Sequence, residues 1–177
     1  MDKESLPLKV DPFRFAENAI HLQGVVPFND MPDLCPSLES SAGDAVVEMV
    51  FGVDEQGTHF LKGHLDAKLV LQCQRCMNAF DYAIMTDFLL GIVHSDDEAD
   101  TLPDSYDPVI VKENTLFLKE VVEQELIVSL PIVPMHDEQA CQVRLPFVAS
   151  TSSDAEMEKD NPFKVIETLR NKRNVIK

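Results

Sequence analysis

Positive charge is scarce in this chain beside negative charge. Lysine and arginine number 15 against 31 aspartates and glutamates, for a formal net charge of −16. A surface that binds nucleic-acid phosphates gains affinity by replacing counterions with lysine and arginine, so bare nucleic acid is a poor partner for most of this surface. Long hydrophobic runs are also missing. The longest near the centre, Phe88 to Val93, is broken by Gly91 and falls far short of the ~20 residues that span a bilayer. The opening Met1-Asp2-Lys3-Glu4-Ser5 holds neither a basic stretch nor an apolar one, so the pattern of a secretory signal is not there. The expectation is a soluble, cytoplasmic protein with no membrane partner. Four cysteines in 177 residues, two of them as a CxxC, do not make a disulfide framework and point instead to metal or thiol chemistry.

What is present is enough for a core: 45% of the residues are hydrophobic. The length suits one domain with tails. The scarce positive charge is partly concentrated at one place. Lys164, Arg170, Lys172, Arg173 and Lys177 share the C-terminal stretch with only Glu167, which leaves the remainder still more acidic than the whole. An acidic body with a short basic tail suits a basic protein partner at least as well as RNA.

The chain is organised around Leu65 to Ile92. On the way in, Leu65, Ala67, Leu69 and Leu71 alternate with Asp66, Lys68, Val70 and Gln72. On the way out, Phe80, Tyr82, Ile84, Phe88 and Leu90 share one face, with Asp81 and Asp87 on the other. A period of two means half-buried strands, and they leave Cys73-Gln74-Arg75-Cys76 at the tip of a hairpin-like connection. Before this pair, Leu6 to Val10 reads as an edge strand, because Pro7 cannot donate to a ladder. Asp11-Pro12 reads as a cap and first turn of a short helix to Ala19. Ile20 to Val26 follows as a strand, then a loop from Pro27 to Gly43, where Cys35 is an ordinary thiol. Val47, Met49, Phe51 and Val53 are expected on one face of a strand that ends at the turn Asp54 to Gly57, and its partner begins at Phe60.

Beyond the hairpin, Ser95 to Asp107 reads as an acidic loop too polar to be ordered by burial, and Val109 to Val111 as a short strand. Asn114 or Thr115 is expected to cap a helix through Leu130 with the stripe Leu118, Val121, Val122 and Leu126. Glu120, Glu123 and Glu125 are read as its solvated side. Pro131 to Cys141 is a compact connector. The organisation is then residues 1–148 as a single domain, 149–161 as an acidic linker, and 162–177 as a basic C-terminal helix with Phe163, Ile166 and Leu169 at helical spacing. The fold class is α+β: a curved antiparallel sheet, built as a meander, with one packed helix and a tethered C-terminal helix.

Two constellations carry chemistry. Cys73 and Cys76 on the CxxC, with His136 and Cys141 in the connector, offer three thiolates and an imidazole. Zinc takes these ligands in a tetrahedron at ~2.0–2.3 Å. The pairs lie far apart in sequence, so folding would have to bring the connector back to the hairpin, and a structural zinc ion is the cofactor this reading implies. The CxxC also reads as a redox pair or as two unbonded thiols. Thioredoxin-like chemistry would place the motif at a helix N-terminus, whereas Met77-Asn78-Ala79-Phe80 leads into a strand. The second constellation is basic: Arg75, exposed if the cysteines face inward, with Arg170, Lys172 and Arg173 as candidate RNA contacts. Simple solvation of Arg75, and complementing of a helix dipole by the terminal cations, account for the same residues. His21, His59, His64 and His94 have no ligand spacing among themselves.

Several of these pieces together resemble the YceD family. They are Gln72-Cys73-Gln74-Arg75-Cys76 after an alternating strand, Leu130-Pro131-Ile132-Val133-Pro134-Met135-His136-Asp137 after a helix, and Asn161-Pro162-Phe163 before a basic end. The opening Leu6-Pro7-Leu8 with Asp11-Pro12-Phe13-Arg14 fits as well. Members of the family are large ribosomal RNA subunit accumulation proteins. The resemblance implies a bacterial, non-enzymatic factor in the synthesis, processing or stability of large-subunit (23S) ribosomal RNA. It also implies a gene commonly set beside that of a small large-subunit ribosomal protein. In other branches of the family a cysteine stands at the counterpart of His136, which fits a metal knuckle. Two functions follow as expectations. One is a ribosome-biogenesis factor that engages large-subunit ribosomal RNA or a precursor particle through the basic end. The other is an acidic holder for a basic ribosomal protein. Neither involves a small-molecule substrate.

Overall fold

A computed structural model of the chain describes residues 6–137, 140 and 141. The chain divides into two units, Met1–Val143 and Arg144–Lys177. The second lies outside the described residues, and with it the expected linker 149–161 and C-terminal helix 162–177.

Alternation produces the sheet that the sequence implies. Strands β2 (His21–Pro27), β3 (Asp44–Val53), β4 (His59–Gln72) and β5 (Ala79–Val93) form an antiparallel meander. In β4, Leu61, Gly63, Leu65, Ala67, Leu69 and Leu71 are all buried while the residues that alternate with them face outward. Across the β4–β5 pair, Gly63 sits opposite Phe88, and a Cβ at Gly63 would lie 1.9 Å from the Phe88 ring. The glycine is what lets the ring lie flat across the strand. Past Ala67, where β3 stops pairing, the β4–β5 hairpin runs on as a two-stranded arm to its tip at Cys73. A bridge from Ser40 to Val70 braces the arm.

The sheet departs from a pure meander at its far edge. Strand β6 (Asp107–Ile110) pairs in parallel with Leu90 to Val93, because the Ser95 to Asp107 segment crosses over instead of turning back. That segment is also more ordered than its composition suggested. Ser95 caps a short helix, α2 (Asp96–Ala99), Leu102 packs over Gly91, and the Tyr106 hydroxyl donates to Asp54 at 2.9 Å. Val53, expected to face inward with Phe51, is 43% exposed: Phe51 and Gly52 are both buried and the alternation breaks there.

Ala16 and Phe15, from the short helix that follows Asp11, join the core, Phe15 meeting the Phe51 ring at 5.4 Å, and two longer pieces close the rest of the inner face. One is the Pro27 to Gly43 segment, which inserts Phe28, Met31 and Leu34. The other is helix α3 (Leu118–Ser129), which contributes Leu118, Val121, Val122 and Leu126. The helix starts later than expected. Glu113 and Asn114 take positive φ, and β7 (Leu116–Phe117) intervenes, pairing with β1 (Lys9–Val10). The N-terminal edge strand is thus two residues long, and Pro7 stands outside it. Helix α1 (Pro12–Glu17) has the cap the sequence suggests, Asp11 accepting the Arg14 N–H at 3.1 Å.

Glu123 is the clearest correction. It was expected on the solvated side of α3, yet it is 6% exposed. One carboxylate oxygen accepts the Asp33 N–H at 2.6 Å and the Leu34 N–H at 3.0 Å. Two main-chain donors of a loop buried over the sheet would otherwise lack partners. Lys119 adds an ion pair to Asp30 nearby. Among the described residues, no helix is long and apolar enough to cross a membrane.

Candidate metal centre

The tip of the β4–β5 arm is a tight turn. Cys73 accepts the Met77 N–H at 2.8 Å and donates its own N–H to Asn78 at 3.0 Å, and Met77 takes a left-handed φ of 61° to close the loop. The connector after α3 then folds back on this turn. The Gln74 N–H donates to the Pro134 carbonyl at 2.9 Å, the His136 N–H reaches Cys73 Sγ at 3.5 Å, and the Phe80 ring packs against the His136 imidazole at 4.8 Å. A last turn, in which Asp137 accepts the Cys141 N–H at 3.1 Å, delivers Cys141.

Cys73, Cys76, His136 and Cys141 therefore converge, and their ligand atoms all lie within 4.8 Å of one another. Cys76 Sγ and His136 Nδ1 are 3.3 Å apart. A tetrahedron with zinc bonds of ~2.0–2.3 Å has edges of about 3.3–3.8 Å, so an ion at the centre requires the widest separations to contract by about 1 Å. Cys73 and Cys141 are buried and the other two half-buried, and all four cysteines of the chain are unbonded.

The electrostatics fit a cation. Burial opposes ionisation of Cys73, but N–H groups of His136, Cys76 and Arg75 and the His136 side chain outweigh it, bringing this thiol from its ordinary 9.0 down to about 5. At Cys76 the Asn78 N–H favours the thiolate, yet burial and the neighbouring Cys73 and Cys141 sulfurs outweigh it and push the thiol up. One thiolate is prepared, and a second beside it is costly until a positive ion joins them. A soft divalent cation held by three sulfurs and one nitrogen answers both conditions.

Arg75 completes the site from outside. Its Nε donates to Cys141 Sγ at 3.1 Å and one terminal nitrogen donates to the His136 carbonyl at 3.1 Å. The guanidinium that the sequence suggested as a phosphate contact is half-buried and turned toward the connector. Nothing in the spacing signals this, because the carbonyl it meets lies 61 residues away. The redox alternative lacks its helix: the CxxC sits between β4 and β5. Cys35 donates to the Phe28 carbonyl at 3.2 Å, as an ordinary thiol does. Arg170, Lys172 and Arg173 lie outside the described residues.

The knuckle and connector motifs fall within the stretch that matches a known family. Residues 61–170 match the profile described as large ribosomal RNA subunit accumulation protein YceD. A protein of Haemophilus influenzae bearing that same name is 34% identical over 174 residues, covering 97% of this chain and all of the relative.

The chain belongs to the YceD family.

Family membership takes in the β4–β5 arm, α3 and the connector, so the four-residue cluster sits inside the shared region. No solved structure matches the chain.

Proposed function

We propose that this protein supports the accumulation of large-subunit ribosomal RNA as a cytoplasmic, non-catalytic factor of ribosome biogenesis. The observation that carries the reading is the match to a named large ribosomal RNA subunit accumulation protein along 97% of the chain. The metal centre supports a structural role. Cys73, Cys76, His136 and Cys141 would hold a zinc ion with four protein ligands, which leaves no open position for a substrate or an activated water. When bound, zinc would supply a cross-link that fastens the connector to the tip of the arm. Arg75 donates to the Cys141 sulfur and holds the His136 main chain, the usual task of groups just outside a metal's ligands.

Contact with ribosomal RNA, or with a precursor particle, is assigned to the basic stretch holding Arg170, Lys172 and Arg173. A second reading is favoured by the net charge of −16: the acidic body holds a basic large-subunit ribosomal protein. The test of the function is depletion of the protein in growing cells, followed by the ratio of large- to small-subunit ribosomal RNA. That ratio is expected to fall, to recover with the parent gene, and to recover less well with Cys73→Ser. An unchanged ratio on depletion would contradict the function.

A further inference from the structure

Strand β5 has one edge in the sheet and one largely outside it. On one side it pairs with β4 from Ala79 to Gly91. On the other, β6 covers only Leu90 to Val93. From Ala79 to Leu89 no described strand lies on that side. In an antiparallel strand each residue directs both its N–H and its C=O to the same side, and successive residues alternate. Two hydrogen bonds fix the phase. Val70, which faces Asp81 across the pair, turns away from β5 to accept the Glu39 N–H at 2.8 Å, and Val93 accepts the Val111 N–H on the β6 side at 2.8 Å. Even-numbered residues of β5 thus bond to β4. Asp81, Ala83, Met85 and Asp87 present their main-chain donors and acceptors outward, with no protein partner among the described residues.

The side chains of these four residues are all exposed, Met85 at 73%. Along the edge they read acid, apolar, apolar, acid. Asp81 gives one oxygen to Lys68 at 2.8 Å and Asp87 gives one to His64 at 2.7 Å, and each keeps its second oxygen free among the described residues. A free edge of this kind is a template for another strand, and this one carries its own discrimination. If two copies paired antiparallel about Ile84, the Asp81 of each would face the Asp87 of the other, and like charges directly opposite are destabilising. A strand with cations at those two places meets the opposite situation.

We infer that the open edge of β5, from Asp81 to Asp87, is a docking rail for an extended segment of a basic protein, which adds to the sheet as a further strand. Main-chain bonds to Asp81, Ala83, Met85 and Asp87 supply affinity. Lysine or arginine opposite the two aspartates, with small apolar residues opposite Ala83 and Met85, supplies selection, as in other strand-addition complexes. The inference rests on the second reading above for the nature of its partner, and the rail adds where that partner binds.

The probe is the acetylated, amidated heptapeptide Lys-Thr-Val-Thr-Val-Thr-Lys, whose pattern is the same in either strand direction. It is added to the full-length protein and read by amide hydrogen exchange. At a peptide concentration about ten times its Kd, exchange at Asp81, Ala83, Met85 and Asp87 is expected to slow by about tenfold. Ile84 and Thr86, already bonded to β4, should not change. Ala83→Pro removes one outward N–H at a position where a strand tolerates proline, and should weaken binding about tenfold. The double variant Asp81→Lys, Asp87→Lys should lose the peptide and gain its counterpart with glutamate in place of lysine. Binding that leaves the four amides unprotected and is indifferent to both variants would overturn the rail while leaving the basic-partner reading intact. Concentration-dependent self-association protecting the same amides, or a single-stranded RNA protecting them in the peptide's place, would overturn it in favour of another occupant. Absence of any peptide binding would overturn it as well.

Discussion

Replacing Glu123 with alanine removes the acceptor for two main-chain donors, Asp33 N–H at 2.6 Å and Leu34 N–H at 3.0 Å. Both donors belong to the segment that lays Met31 and Leu34 against the sheet, and Leu34 is fully buried. Water therefore reaches the vacated site poorly. A buried donor left unsatisfied costs about 1–3 kcal/mol, and hydrogen bonds to a charged acceptor contribute about 1.5–3 kcal/mol each. The two bonds share one oxygen and are not independent, so the loss is set at about 3 kcal/mol rather than their full sum. Glu123→Gln keeps an oxygen in place and loses only the charge assistance, for about 1 kcal/mol. Glu120, exposed on the same helix, is the control, and Glu120→Ala should stay within about 0.5 kcal/mol. Urea unfolding of the three variants against the parent measures all three values. Equal stabilities for Glu123→Ala and Glu120→Ala would refute the account of how α3 holds the Pro27 to Gly43 segment.

Two further outcomes are expected. Met77 takes a left-handed φ of 61° with a side chain 62% exposed, so Met77→Gly should relieve backbone strain and raise stability by about 1 kcal/mol in the same urea assay; a loss would show that the methionine packs usefully. Asp54 titrates below its ordinary 3.8: burial opposes ionisation, but the Thr58 N–H, the Tyr106 hydroxyl and the Gln56 N–H outweigh it. A lowered folded pKa means that its stabilising contribution is present above 3.8 and lost as pH falls through the lower folded value. Asp54→Asn should therefore destabilise at pH 7 and flatten the acid limb of the stability profile, and an unchanged limb would count against the argument.

The sheet was legible because its signal is local. Every inward residue of β4 from Leu61 to Leu71 follows a period of two, and nothing in the surroundings overrides it. The candidate metal centre was legible for a related reason: Cys73-x-x-Cys76 and His136-x4-Cys141 each place two groups able to bind a metal close together in the chain, although only the folded chain shows the pairs meeting. What escaped the sequence depends on partners far away in it. Glu123 looks like any helix glutamate until the loop at Asp33 is placed over it. Arg75 looks solvated until the connector returns. The parallel pairing of β6 depends on how the Ser95 to Asp107 segment crosses the sheet, where Leu102 and Tyr106 supply the burial and the hydrogen bond that its acidic composition hides. Val53 misled because a regular alternation was extended one step past the point where Gly52 breaks it.

The most direct test of the account is the metal content of the purified, full-length protein, prepared without chelators and measured by elemental analysis beside Cys73→Ser and Cys141→Ser. Four converging ligands predict close to one zinc per chain in the parent, loss of that zinc in both variants, and a clear drop in thermal stability when a chelator strips the parent. A parent protein that is folded, carries no zinc, takes up none when it is supplied, and melts at the same temperature with or without chelator would contradict the assignment of Cys73, Cys76, His136 and Cys141 as a structural metal centre.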